Sequence, residues 1–214
     1  MGHTTREYSA FEQAYDYFND SLFNGELPSC LITLQRKARC YGYFYRESFS
    51  ARLNDSMVTD EIALNPDTFE NRSDMEILST LVHEMVHLWQ CHRGKRISRK
   101  AYHNAEWAGK MEQIGLMPTD TGEPGGKRTG QKMTHYVIDG GPFLVEAQKL
   151  IGSGFKLTWQ CRSADASARR KQPRSKMKYS CPECGQNAWA KPDAKLMCGE
   201  CEQMMECEAE ENED

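Results

Sequence analysis

Ser73-Asp74-Met75-Glu76-Ile77-Leu78-Ser79-Thr80-Leu81-Val82-His83-Glu84-Met85-Val86-His87-Leu88 is the stretch on which the reading of this chain turns. Ser73-x-x-Glu76 has the spacing of a capping box, in which each residue satisfies a free N–H at a helix start. Leu78, Leu81, Val82, Met85 and Leu88 then recur at helical spacing, which predicts a helix to about His92, stopped by Gly94. On that helix His83 and His87 stand four residues apart, on one face and one turn from each other. Two neutral imidazoles so placed can share one zinc ion, and Glu84 lies beside the water that the ion activates. The residue types suit this chemistry, since imidazole binds zinc, zinc acidifies water, and a carboxylate carries the proton away.

A catalytic zinc takes three protein ligands and keeps one position open. The third has to come from outside this helix. A further helix is predicted over roughly Asn104 to Ile114, closed by Gly115 and Pro118, and His103 and Glu106 near its start are the candidates. The spacing that would place a third histidine at position 93 is not met, because that residue is Arg93. Spacing leaves His103 and Glu106 even. Of the other histidines, His92 reads as a helix-end residue facing terminal carbonyls. His135 beside Tyr136 reads as packing, with approach to the site as the alternative, and Trp89 and Trp107 read as core residues.

Upstream, Thr4-x-x-Glu7 is a second capping-box spacing, followed by Tyr8, Phe11, Tyr15, Phe18 and Leu22 at helical intervals and a stop at Gly25. Short strands are predicted at Leu31 to Leu34, Tyr41 to Tyr45 and Glu61 to Leu64, the last ended by Asn65-Pro66. Thr119 to Gly130 is Gly-rich and polar and reads as a surface loop. Met133 to Leu150 fits no single pattern.

Cys181-Pro182-Glu183-Cys184 and Cys198-Gly199-Glu200-Cys201 form a C-x2-C-x13-C-x2-C pattern. Each pair can aim two thiolates at one metal, so Cys181, Cys184, Cys198 and Cys201 predict a structural zinc ribbon. Leu157 to Cys161 is a candidate first strand, with Ala188 to Lys191 and Lys195 to Met197 as later ones. A redox role for one C-x-x-C would need a βαβ setting that is missing here. Arg162 to Lys178 carries seven cations, including Arg169, Arg170, Lys171, Arg174 and Lys176, against Asp165 alone. Such a run suits nucleic-acid phosphates or an ordinary solvated linker equally well. After Cys201 the charged residues are all acids, and residues beyond Glu206 are expected to be disordered.

The 214 residues, 39% hydrophobic and 27% charged with a net charge of −4, describe an ordinary globular chain. No apolar run has the length of a membrane span, and Gly2 to Glu7 lacks the apolar core of a signal peptide. A cytoplasmic protein with no membrane association is therefore expected, four of its nine cysteines serving metal rather than disulfides. Cys161 and Cys207 are spare candidates, and Cys30, Cys40 and Cys91 read as small buried hydrophobes.

Leu81-Val82-His83-Glu84-Met85-Val86-His87, followed by Tyr102-His103-Asn104-Ala105-Glu106-Trp107, resembles the SprT-like (Spartan-type) zinc metalloproteases. Phe23-Asn24-Gly25-Glu26-Leu27-Pro28, Tyr41-Gly42-Tyr43-Phe44 and Glu61-Ile62-Ala63-Leu64-Asn65 extend the likeness over about Phe11 to Leu116. The resemblance implies that His103 is the third ligand and leaves Glu106 a supporting role at most. It also implies a protease acting on DNA-associated proteins, which favours DNA as the partner of the basic stretch. The expectation is thus an α+β fold: a small β-sheet on the H-E-x-x-H helices, with a C-terminal zinc ribbon. Its parts are a core over 1–117, a connecting segment over 118–156, a ribbon with its basic stretch over 157–206 and an acidic tail over 207–214. Two zinc ions are expected, with Glu84 as general base. The rival readings are a non-catalytic zinc-stabilised DNA- or protein-binding module and a zinc hydrolase acting on something other than peptides.

Overall fold

A computed structural model describes residues 2–96, 98–99, 102–161 and 176–207. It divides into two compact units, 1–162 and 163–214.

Unit one begins with α1 (His3–Phe23), whose buried face is Phe11, Ala14, Tyr15, Phe18 and Leu22, as the helical spacing predicts. The predicted cap does not form. Gly2 is the N-cap, without a side-chain hydrogen bond, because the Glu7 carboxylate is turned inward. Its Oε2 accepts from the Thr158 N–H (3.2 Å) and hydroxyl (2.7 Å). That contact also explains why Leu157 to Cys161 is not a ribbon strand. Leu157 packs into the core of unit one, and no strand is formed there.

Three strands follow: β1 (Leu31–Leu34), β2 (Gly42–Ala51) and β3 (Asn54–Leu64). They lie in the order β1-β3-β2, with β1 parallel and β2 antiparallel to β3. The hairpin of β2 and β3 runs much further than the predicted strands. Its outer half is exposed on both faces and carries no inward alternation for a sequence reading to detect. A register shift between Tyr45 and Phe49 bends it. There Asp60 Oδ1 accepts from the Glu47 N–H at 2.7 Å, while Oδ2 lies 2.5 Å from His92 Nε2. His92 therefore pairs with a buried carboxylate and not with carbonyls of its own helix.

The motif helix, α2 (Asp74–Arg93), starts with both halves of the Ser73/Glu76 capping box in place and ends at Gly94. Its apolar face, Leu78, Leu81, Val82, Met85 and Leu88, is wholly buried with Ile62 and Leu64 of the sheet. α3 (Ala105–Gln113) follows, capped by the Asn104 side chain, which accepts from the Trp107 N–H at 3.0 Å.

The segment that fits no sequence pattern is ordered. β4 (Leu116–Thr119) and β5 (Thr134–Val137) pair antiparallel, and α4 (Pro142–Gly152) buries Phe143, Ala147 and Leu150. The Phe143 ring meets Phe18 of α1 at 5.7 Å. Each such fully buried side chain contributes about 1.5–3 kcal/mol, so residues past 117 belong to the same core as the motif helix.

Unit two contains β6 (Met177–Ser180), β7 (Asn187–Ala190) and β8 (Glu206–Cys207) in the antiparallel order β7-β6-β8. β6 takes the place expected for Leu157 to Cys161. Lys195 to Met197 contributes only a bridge from Met197 to Met204. Of the basic candidates, Lys176 is exposed. Arg169, Arg170, Lys171 and Arg174, like the tail from 208 onward, lie outside the described residues.

Candidate metal centres

α2 presents His83 and His87 on one face, and the turn before α3 brings His103 to them. Ligand nitrogens of the three lie within 4.8 Å of one another. His103 is held by its own backbone: its N–H donates to the Gly130 carbonyl at 2.7 Å, and the Gly130 N–H returns to the His103 carbonyl at 3.1 Å. The same Gly130 carbonyl lies 3.1 Å from His103 Nδ1. A carbonyl can only accept, so Nδ1 carries the proton and Nε2 keeps its lone pair. The Gly-rich loop after β4 thereby orients a site residue from 27 positions away.

His103 Nε2 and His87 Nε2 stand 3.1 Å apart. Two nitrogens bound tetrahedrally at the usual zinc distance would be separated by about 3.3–3.4 Å. The spacing fits one zinc ion. Burial, and then the neighbouring imidazoles, keep His83 well below its ordinary pKa and push His87 down to about 3. Burial lowers His103 too. All three are therefore neutral, the form a metal takes.

Trp107, expected in the core, is wholly buried. It is also the floor of the site. Its ring lies 5.0, 5.2 and 4.4 Å from those of His83, His87 and His103. Phe44 of β2 stacks on His87 at 6.4 Å. Glu84 is buried beside the cluster, and burial raises its carboxyl to about 8, with Lys37 acting the other way. A divalent cation among the imidazoles would pull in the same direction as Lys37. The carboxylate has room because residue 42 is glycine. A Cβ there would come within 2.9 Å of the Ala63 carbonyl, 3.0 Å of Thr80 Cγ2 and 3.3 Å of Glu84 Oε1.

Glu106 stands apart from the imidazoles' ligand set. Its two oxygens accept from the Lys95 N–H (2.8 Å) and the Arg96 N–H (2.9 Å), bracing the chain that leaves α2. His135 does reach the site, at 3.1 Å from His83. Burial, and then Arg72, lower it to about 4.

In unit two the four sulfurs Cys181, Cys184, Cys198 and Cys201 also lie within 4.8 Å of one another. The two C-x-x-C turns are built alike. The Gly185 N–H donates to the Cys181 carbonyl and the Glu202 N–H to the Cys198 carbonyl, both at 2.9 Å. Gly185 (φ 71°) and Glu202 (φ 52°) both take the left-handed conformation this turn requires. Backbone N–H groups of Cys201 and Glu200 lower Cys198 to about 7. Cys184 Sγ and Cys198 Sγ are 3.7 Å apart, against about 3.8 Å for two thiolates on one tetrahedral zinc. This set fits a closed structural site.

The profile of the SprT-like family matches residues 11–134, more than half of the chain. The chain belongs to the SprT-like family. The matched span starts in α1 and ends in β5, so it includes every imidazole of the three-histidine cluster. A Salmonella typhimurium protein described as "Uncharacterized protein in mucB 3'region" is 48% identical over 59 residues, 28% of this chain and 78% of that protein. Among the described residues no helix is long and apolar enough to cross a membrane.

Proposed function

We propose that this SprT-like chain is a zinc-dependent metalloendopeptidase that cleaves DNA-associated proteins. The observation that carries the reading is the convergence of three neutral imidazoles beside a buried carboxylate within a SprT-like domain. His83, His87 and His103 would hold the ion. When bound, zinc supplies Lewis acidity toward a water molecule and a peptide carbonyl.

The remaining work falls to the chain. Glu84 takes the proton of the attacking water on its carboxylate and passes it to the leaving amine nitrogen. Gly42 leaves that carboxylate its space, and Phe44 and Trp107 keep the imidazoles packed against apolar rings. Cys181, Cys184, Cys198 and Cys201 would hold a second, structural zinc.

DNA is proposed as the partner on the basic run from Arg162 to Lys178 beside the ribbon. Phosphate contacts make such binding steeply salt-dependent, with a log–log slope of about −0.9 per phosphate contacted. Neutralising Arg169, Arg170 and Lys171 together should weaken DNA binding while leaving the imidazole zinc in place. Equal binding at every salt concentration would return the run to an ordinary linker.

The deciding experiment incubates the full chain with a DNA-bound protein, with and without DNA, alongside Glu84→Gln. Cleavage by the wild type that falls about 10²–10⁴-fold in the variant supports general-base catalysis. Zinc uptake without cleavage of any protein would favour the non-catalytic binding module.

A further inference from the structure

We infer that His135 is a positioning residue for the metal centre, holding His83 in the tautomer that leaves its Nε2 lone pair free for the ion. The inference rests on the metal site proposed above and concerns a residue in β5, 52 positions beyond His83.

The assignment follows proton by proton along α2. Ser79, one turn before His83, donates its hydroxyl proton to the Glu76 carbonyl at 2.8 Å. A hydroxyl has a single proton, so Ser79 Oγ can only accept from its other neighbour, His135 Nε2, at 3.0 Å. His135 therefore carries its proton on Nε2, and its Nδ1 is a bare acceptor. That Nδ1 lies 3.1 Å from His83 Nδ1. His135 is not in the three-histidine ligand set, so no shared ion would bridge these two nitrogens. Two bare nitrogens would then repel, so His83 supplies the proton from Nδ1 and its Nε2 is left unprotonated. The chain runs His83 to His135 to Ser79 to the Glu76 carbonyl, and every donor has one acceptor.

The same logic holds at His103, where the Gly130 carbonyl plays the accepting part. Two of the three imidazoles are thus oriented through Nδ1 by residues from β5 and from the loop before it. His135 is not itself a ligand in this arrangement, because both its nitrogens are engaged. Partners of this kind fix the ring and its tautomer, and their loss typically weakens metal binding about 10–100-fold.

The test uses the full chain and three variants: His135→Ala, His135→Gln and Ser79→Ala. Cobalt(II) titration against a competing chelator separates the two sites, since only the cysteine set gives thiolate charge-transfer absorption. Imidazole nitrogen NMR shifts of the zinc-loaded protein report which nitrogen of His83 is protonated. His135→Ala should weaken metal binding at the imidazoles about 10–100-fold and leave the cysteine site unchanged. His135→Gln can accept from His83 with its amide oxygen and donate to Ser79 with its nitrogen, so it should restore most of the affinity. Ser79→Ala should fall between them. If His135→Ala does not fold, the comparison of His135→Gln and Ser79→Ala with wild type decides.

Wild-type affinity and an unchanged His83 tautomer in His135→Ala would overturn the inference. So would a folded His135→Gln that binds metal no better than His135→Ala, which would point to packing alone. A wild-type chain that takes up metal only at the cysteines would instead overturn the metal-centre reading itself.

Discussion

The two metal-ready clusters stand on opposite kinds of foundation. The imidazoles of unit one sit on α2 and in the turn before α3, against Trp107, in a core that includes Phe11, Phe18, Leu78, Leu81, Met85 and Phe143. That core exists for apolar reasons and would hold the three rings near one another without any ion. The ribbon has no comparable interior. Its buried apolar residues among those described are Tyr179, Cys181 and Cys198, and two of these belong to the four-cysteine cluster. In one case the fold positions the candidate metal site; in the other we propose that the metal would supply the fold.

The sharpest way to break this contrast is to remove metal. Chelation, or Cys181→Ser, should unfold the ribbon while the helices of unit one persist, since small cysteine-zinc modules fold only with their ion. Hydrogen exchange resolved along the sequence would read it, and a ribbon that stays protected without zinc would refute the contrast. Trp107→Ala attacks the other side. Deleting a wholly buried indole should cost about 3–5 kcal/mol in denaturant unfolding of unit one and loosen the imidazoles, with no effect on the cysteine site.

Gly42→Ala is finer. The added methyl meets a backbone carbonyl that cannot easily move, so a loss of about 1–3 kcal/mol is expected, with activity lowered further because Glu84 is crowded. An unfolding midpoint equal to wild type would mean that β2 can shift to make room. Smallest is Ser73→Ala, which removes the helix cap of α2 and should cost about 1 kcal/mol. Metal affinity at the imidazoles should barely change, because the cap lies more than two turns before His83.

What is legible in the sequence follows the same division. The ends of α2, the Ser73/Glu76 cap, the extent of β1 and the C-x-x-C turns depend on near neighbours, and they stand where the residues predict. Thr4-x-x-Glu7 has the same spacing as the working cap and does not form one, since Glu7 is taken by Thr158 from the far end of unit one. The outer hairpin of β2 and β3 escapes a sequence reading because its exposed residues carry no periodic signal. α4 escapes it although its buried residues are apolar, because its preceding strand and turn blur the helical period.

The sequence by itself determined that His83, Glu84 and His87 share a helix and that four cysteines come in two like turns. Both are consequences of backbone periodicity over a few residues. Only the tertiary structure decided the rest: that Trp107 lies beneath all three imidazoles, that His135 reaches His83 from β5, and, where spacing left the two even and only the family resemblance chose between them, that His103 rather than Glu106 stands with His83 and His87. Those placements depend on packing and loop closure between residues distant in the chain. A helical period says which face a side chain occupies, and says nothing of what the folded chain brings to meet it.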